Sequence, residues 1–209
     1  MKRVATTLAI FLAMAAAVSA QSATVSEIAG KVEYRMGSAA WRPVAVGLEI
    51  PLDATISTGF DARAVLEVAG SRLRVGQLTR LTINELADDG STVRTSVFVP
   101  VGRVRASVES PPARRSDFRI RTAQSTAAVR GTEFETNGWQ ILVSEGVVEF
   151  ADLLGRSRNV SAQQISTITA TGTTDPLDEL NAQANIGDDG LPDDFDGSAD
   201  SGYITVRWE

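Results

Sequence analysis

Residues 126–145 read TAAVRGTEFETNGWQILVSE, two arms of alternating apolar and polar residues around Asn137-Gly138. Asn-Gly between such arms signals a β-hairpin, because a type I′ turn needs φ > 0 at both central positions. A two-residue turn there pairs Thr136 with Trp139, Phe134 with Ile141 and Thr132 with Val143, a largely apolar surface. Glu133, Glu135, Gln140 and Leu142 fall on the opposite surface. The same register sets Gly131 opposite Ser144 and Arg130 opposite Glu145, which gives Arg130 a structural partner in preference to a ligand. Gly131 inside a strand marks a bulge or sharp bend, so the chain is expected to turn a corner there.

Outward from this hairpin the pattern persists. From Ser22 to about Thr171 apolar residues recur with period two, as in Leu73-Arg74-Val75, Val104-Arg105-Ala106-Ser107-Val108 and Phe118-Arg119-Ile120-Arg121-Thr122. Helical periodicity is missing. Turn residues interrupt the pattern at Gly37, Gly47, Gly59, Gly70, Gly90, Gly102, Pro111-Pro112, Gly138, Gly146 and Gly155, dividing the segment into a dozen or so short strands. Four stretches, AGKVEY, AGSRLRV, VGRVRASV and EGVVEF, share a glycine followed by alternating apolar residues. They suggest stacked, similar coils without a fixed period. The fold class is all-β, stacked short strands in a β-solenoid-like arrangement, with a β-sandwich as the alternative.

The two ends differ in kind. Residues 1–20, MKRVATTLAIFLAMAAAVSA, have the form of a secretory signal peptide: Lys2 and Arg3, an apolar run, and a small-residue ending at Ala20. The run is shorter than the roughly 20 residues of a spanning helix, so cleavage is expected, leaving a periplasmic or secreted chain with no transmembrane segment. Residues 171–209 form an acidic tail. Asp175, Asp178, Glu179, Asp188, Asp189, Asp193, Asp194, Asp196 and Asp200 lie there with no base before Arg207. Such a segment buries too little to offset its ordering entropy and is expected to be a flexible extension. Within it, Asp178 to Asn185 has the makings of a short helical turn and Tyr203 to Trp208 alternates like a strand. The intervening domain, 21–170, is close to neutral, which gives no electrostatic reason to expect nucleic acid.

Composition removes much of enzymology. The chain has no Cys and no His, so thiolate nucleophiles, imidazole acid–base chemistry and the common zinc sites are excluded. The carboxylates Glu133 and Glu135 are the arrangement nearest to a glycosidase pair, but sharing one strand surface makes them a wet sheet face first. Trp41 and Trp139 fall on inward faces and are expected in the core before any sugar-stacking role. Asn185, Asp189, Asp193 and Asp196, with Gly190 at the turn, partly follow the spacing of a calcium loop. Position three is Gly187 and the final ligand is the shorter Asp, so a solvated tail is the leading reading and no cofactor is expected. The densest positive stretch, Arg103, Arg105, Arg114, Arg115, Arg119 and Arg121, is expected as a charged edge that discourages strand pairing. An acidic partner, an anionic glycan or the tail itself are its functional readings.

Phe118-Arg-Ile-Arg-Thr-Ala, Thr126-Ala-Ala-Val-Arg-Gly-Thr-Glu-Phe134 and Val143-Ser-Glu-Gly-Val-Val-Glu-Phe150 together resemble the FecR domain family. Upstream, Gly30-Lys-Val-Glu, Ile56-Ser-Thr-Gly, Ala64-Val-Leu-Glu-Val, Thr79-Arg-Leu-Thr-Ile and Gly102-Arg-Val fit the same pattern. Ala123-Gln124 stands where that family usually has a Pro-containing turn. The resemblance implies an extracytoplasmic all-β domain without catalysis, like the sensing halves of anti-sigma regulators. This chain is similar to the sensing half without an output half. The expected function is a binding or scaffolding module of the cell envelope, contacting another envelope protein. A sensory subunit of a separately encoded transmembrane regulator and a glycan-binding or carbohydrate-active protein are the alternatives. Arg130, Gly131, Thr132, Phe134, Asn137, Gly138, Glu145 and Gly146 then serve as motif and structural residues.

Overall fold

The computed structural model describes residues 22–109 and 114–176. The signal-peptide, Pro111-Pro112, calcium-loop and terminal-strand readings lie outside those residues. Eighteen strands form, with no helical element among the described residues. The first seven are β1 (Ala23–Ala29), β2 (Val32–Met36), β3 (Arg42–Pro43), β4 (Glu49–Ile50), β5 (Ala54–Thr58), β6 (Arg63–Val68) and β7 (Ser71–Val75). Then come β8 (Arg80–Asp88), β9 (Thr92–Val101), β10 (Val104–Val108), β11 (Arg115–Thr122), β12 (Ser125–Val129) and β13 (Thr132–Thr136). The last are β14 (Gln140–Glu145), β15 (Val147–Asp152), β16 (Ser157–Ser161), β17 (Gln164–Thr169) and β18 (Gly172–Thr173).

Period-two sequences give strands with one wet and one dry face, and two such faces must close on each other. Two nine-stranded sheets do so. One runs β18-β17-β14-β13-β10-β7-β6-β1-β4 and the other β16-β15-β12-β11-β9-β8-β5-β2-β3. Their inner faces share one core, in which Phe118, Phe134 and Phe150 are fully buried with Ile56, Leu66, Leu73, Leu81 and Ile141. The stacked-strand and sandwich readings therefore describe the same object: short hairpins stack alternately in the two sheets.

Pairing is antiparallel throughout the described strands except between β9 and β11, which run parallel from Thr92 opposite Arg115 to Val99 opposite Thr122. That pair reverses the rhythm of the chain. From β5 up to it, the chain changes sheet at one rim of the sandwich, around 59–62, 76–79 and 102–103, and makes hairpins at the other. After it, hairpins occupy the first rim, at 123–124, 137–139, 153–156 and 170–171, and changes of sheet occupy the second.

The hairpin register differs from the expected one. Phe134 pairs with Val143, Glu135 with Leu142 and Thr136 with Ile141, and a bulge then brings Glu133 opposite Glu145. Gly138 has φ +92° and Asn137 is not in the left-handed region, so the turn is not type I′. Instead the Asn137 side-chain oxygen accepts from Trp139 N at 3.1 Å and Gln140 N at 2.9 Å, the self-bonding open to a short amide side chain. The displacement is two residues, so every face survives: Thr132, Phe134, Thr136, Ile141 and Val143 are buried. Trp139 is the exception. It falls in the loop, 55% exposed, not in the core. The expected pairing of Arg130 with Glu145 fails for the same reason, and no ion pair joins them among the described residues.

Candidate functional site

Gly131, with φ +64°, is where the chain leaves β12 in one sheet and enters β13 in the other. Arg130 beside it is exposed. Glu145-Gly146 makes the next change of sheet, where Gly146 has φ +80° and lies against Thr132. These motif residues hold the second rim together. No reacting group accompanies them.

The first rim is different. Ser125 Oγ donates to Gly138 O at 2.8 Å, and Gly138 N donates to Thr136 Oγ1 at 3.1 Å, so the β13–β14 turn is fastened to the β11–β12 turn. Trp139 projects from this anchored loop, and its carbonyl accepts from Ile168 N at 2.7 Å. Beside it lies the β15–β16 turn. Asp152 accepts from Leu154 N and Arg156 N, both at 2.9 Å, and from Arg156 Nε at 2.6 Å, while Arg156 Nη1 reaches Thr171 O at 2.6 Å. Burial pushes the Asp152 carboxyl up, but the Arg156 and Leu154 hydrogen bonds and the Arg156 charge outweigh it and hold its pKa below the ordinary range. The tip of that turn presents Leu153 at 71% and Leu154 at 79% exposure.

Trp139, Leu153, Leu154 and Ile168 thus line a shallow depression of about 190 Å³. Val101, Leu78 and Phe60 continue the exposed apolar series along the same rim. Large apolar side chains held outward on fixed turns lose little entropy on contact, the property of an interface anchor. Sequence alternation placed Trp139 inward and gave no sign of this series, because its members come from separate turns that only the reversal at β11 brings to one rim.

The arginine stretch does not stay together. Arg103 and Arg105 lie on the outer face of one sheet, paired with Glu135 at 3.2 and 3.1 Å. Arg119, paired with Asp117, and Arg121 belong to the other sheet. Arg114 pairs with Asp88 at the second rim. Glu133 and Glu135 line separate shallow grooves, and Glu135 is held between two arginines, not poised opposite a second carboxyl. Trp41 is half-buried under the Arg35 guanidinium, 4.5 Å from the ring centre. Among the described residues, no group of acidic side chains is arranged to hold a metal ion.

The FecR protein family matches residues 54–149, from the start of β5 into β15. Over that segment the chain is similar to the FecR family. FecR domains are regulatory and non-enzymatic in general and typically extracytoplasmic. Two crystal structures of a "putative anti-sigma factor" from Parabacteroides distasonis ATCC 8503 are similar to the chain. The identities are 16% and 14% and the TM-scores 0.47 and 0.46; 62% of this chain is covered in each case. The chain spans 63% and 64% of the length of those structures, under two thirds. The curated proteins contain no match. The FecR-family segment includes both changes of sheet at Gly131 and Gly146 and the loop of Trp139. No helix among the described residues is long and apolar enough to cross a membrane.

Proposed function

We propose that the chain is an exported, non-enzymatic FecR-type binding module that contacts another protein of the cell envelope through its apolar rim. The observation that carries this reading is the cluster of Trp139, Leu153 and Leu154 held outward on hydrogen-bonded turns. A protein surface is the occupant that fits. Trp139 is flanked by leucines, and the charged groups of the same depression, Asp152 and Arg156, are engaged in the turn's own hydrogen bonds, whereas aromatic and aliphatic anchors with a polar surround are usual between proteins. The leader-like residues 1–20 and the typical location of FecR domains support the envelope. The regulatory character of the family favours one second reading, in which the partner is a separately encoded transmembrane regulator and this chain is its sensory subunit.

The test is chemical crosslinking in envelope preparations, comparing the native chain with one carrying Trp139→Ser, Leu153→Ser and Leu154→Ser. A protein crosslinked by the native chain and lost in the rim variant supports the reading, and its identity separates a scaffold from a regulator. Equal crosslinking by both chains overturns the rim as the contact. Retention on a glycan panel with no protein product overturns the module itself.

A further inference from the structure

The outer face of the β13-β10-β7-β6-β1 sheet has two halves of opposite charge. Toward the second rim, Glu67, Glu109 and Glu133 surround Arg72, and Arg74 stands at the boundary between the halves. Toward the first rim, Arg63, Arg74, Arg103 and Arg105 wall a groove of about 290 Å³ that contains two acids, Glu27 and Glu135. Its floor is the sheet itself, where Val65 is the outward apolar side chain between Arg63 and Glu67, while Ala64 and Val75 alternate into the core. Register makes the positive half unusual. Arg105 pairs with Glu135 on one side and with Arg74 on the other, so two guanidinium-bearing positions lie directly opposite each other. Like charges in that relation destabilise a sheet. Glu135 is already shared by Arg103 and Arg105, and no salt bridge reaches Arg63 or Arg74 among the described residues.

We infer that this groove is the docking site of the chain's own acidic C-terminal segment, residues 177–200. That segment has eight acidic residues and no base, with Leu177, Leu180, Ile186, Leu191 and Phe195 interspersed. It therefore complements the arginine walls in charge, and its apolar residues match the surface at Val65. Capture by arginine begins before it: Arg158 Nε donates to Thr173 O at 3.0 Å and Arg158 Nη1 contacts Asp175 at 3.4 Å.

The distance is short for the chain available. From β18 to β7 is five strand steps in the sheet order, about 25 Å at the usual spacing between strands. An extended chain covers that in about eight residues, so the second acidic run, Asp188 to Asp196, can lie in the groove. Tethering supplies an effective concentration in the millimolar range, so a site of modest affinity is filled by this segment ahead of a free anion. The docking does not depend on the partner at the rim.

A single reporter on the full chain tests it. The sequence has no cysteine, so Ser198→Cys accepts one nitroxide label. Amide signals of β6, β7 and β10 near Arg63, Arg74 and Arg105 are expected to lose intensity at low salt. They should recover at about 1 M NaCl, where the screening length is about 3 Å. Arg63→Glu with Arg74→Glu should abolish the loss. Asp188→Asn, Asp189→Asn, Asp193→Asn and Asp194→Asn together should do the same without touching the domain, which covers the case of a misfolded groove variant. Signal loss that is absent, that falls on other strands, or that persists in the Asn variant overturns the inference. Trp139→Ser, which tests the rim, should leave the pattern unchanged, so the two proposals fail separately.

Discussion

Gly146 lies so close to Thr132 that a methyl group on its α-carbon would stand 2.6 Å from Thr132 Cγ2 and 2.8 Å from Gly131 O, with φ at +80°. Two changes of sheet are packed back to back there, and a side chain on either would push them apart. Gly146→Ala meets both the left-handed backbone and the clash, and is expected to cost about 2–4 kcal/mol. Gly155→Ala, at φ +77° with open space around it, isolates the backbone part and should cost about 1–2 kcal/mol. Urea unfolding of the two variants checks the difference.

Thr132 carries a second consequence of that contact. Its Oγ1 is buried and has no hydrogen-bond partner. Removing an unsatisfied buried hydroxyl relieves its desolvation cost, so Thr132→Val should stabilise the domain by about 1 kcal/mol. A raised urea midpoint with an unchanged slope is the expected result.

Arg130 follows from the corrected register. It is exposed and has no ion pair among the described residues, so Arg130→Ala should change stability by less than about 0.5 kcal/mol. Thermal unfolding measures this directly, and a larger loss would restore a structural partner to Arg130.

Acid should act through Asp152. Its carboxyl is 5% exposed and its pKa is depressed below the unfolded value of about 3.9. The unfolded chain therefore takes up the proton first. The stabilisation is complete at neutral pH and is lost as pH falls below about 3.9 through the folded value. Asp89, depressed by hydrogen bonds from Ser91 and Thr92 and by the charge of Arg94, acts in the same direction. Asp152→Asn should lower stability at pH 7 and make the acid limb shallower, as read from urea midpoints at pH 7 and pH 3.

The rim residues should be separable from the core. Leu153→Ser with Leu154→Ser should leave the unfolding free energy within about 0.5 kcal/mol, since both side chains are largely in solvent. Binding of the apolar dye ANS to the folded chain should drop, because the exposed apolar series is shortened.

Faces were legible in the sequence because burial imposes period two, and the glycines marked nearly every turn. The turn at Asn137-Gly138 was legible as a turn but not in type. The preference for Asn-Gly reports backbone tolerance, and here the Asn137 side chain and the anchoring of Gly138 to Ser125 select a longer loop. Conversely, a two-residue turn with both φ values positive occurs at Ala69-Gly70, where Ala69 adopts φ +50° against its local preference because the β6–β7 ladder closes around it. The arginine groove was not legible. Arg63 and Arg74 join Arg103 and Arg105 through strand order, which is a property of the whole sheet, and the contiguous arginines of the sequence are dispersed by the same order.

The parallel seam between β9 and β11 also has a kinetic meaning. Hairpins on either side of it close locally, whereas the seam joins Thr92 to Arg115 and cannot zip until the β9–β10 and β10–β11 connections have swung round. The domain is thereby divided into two blocks that meet along this ladder in one sheet and along the β10–β13 ladder in the other, and slow hydrogen exchange should report them as distinct units of opening.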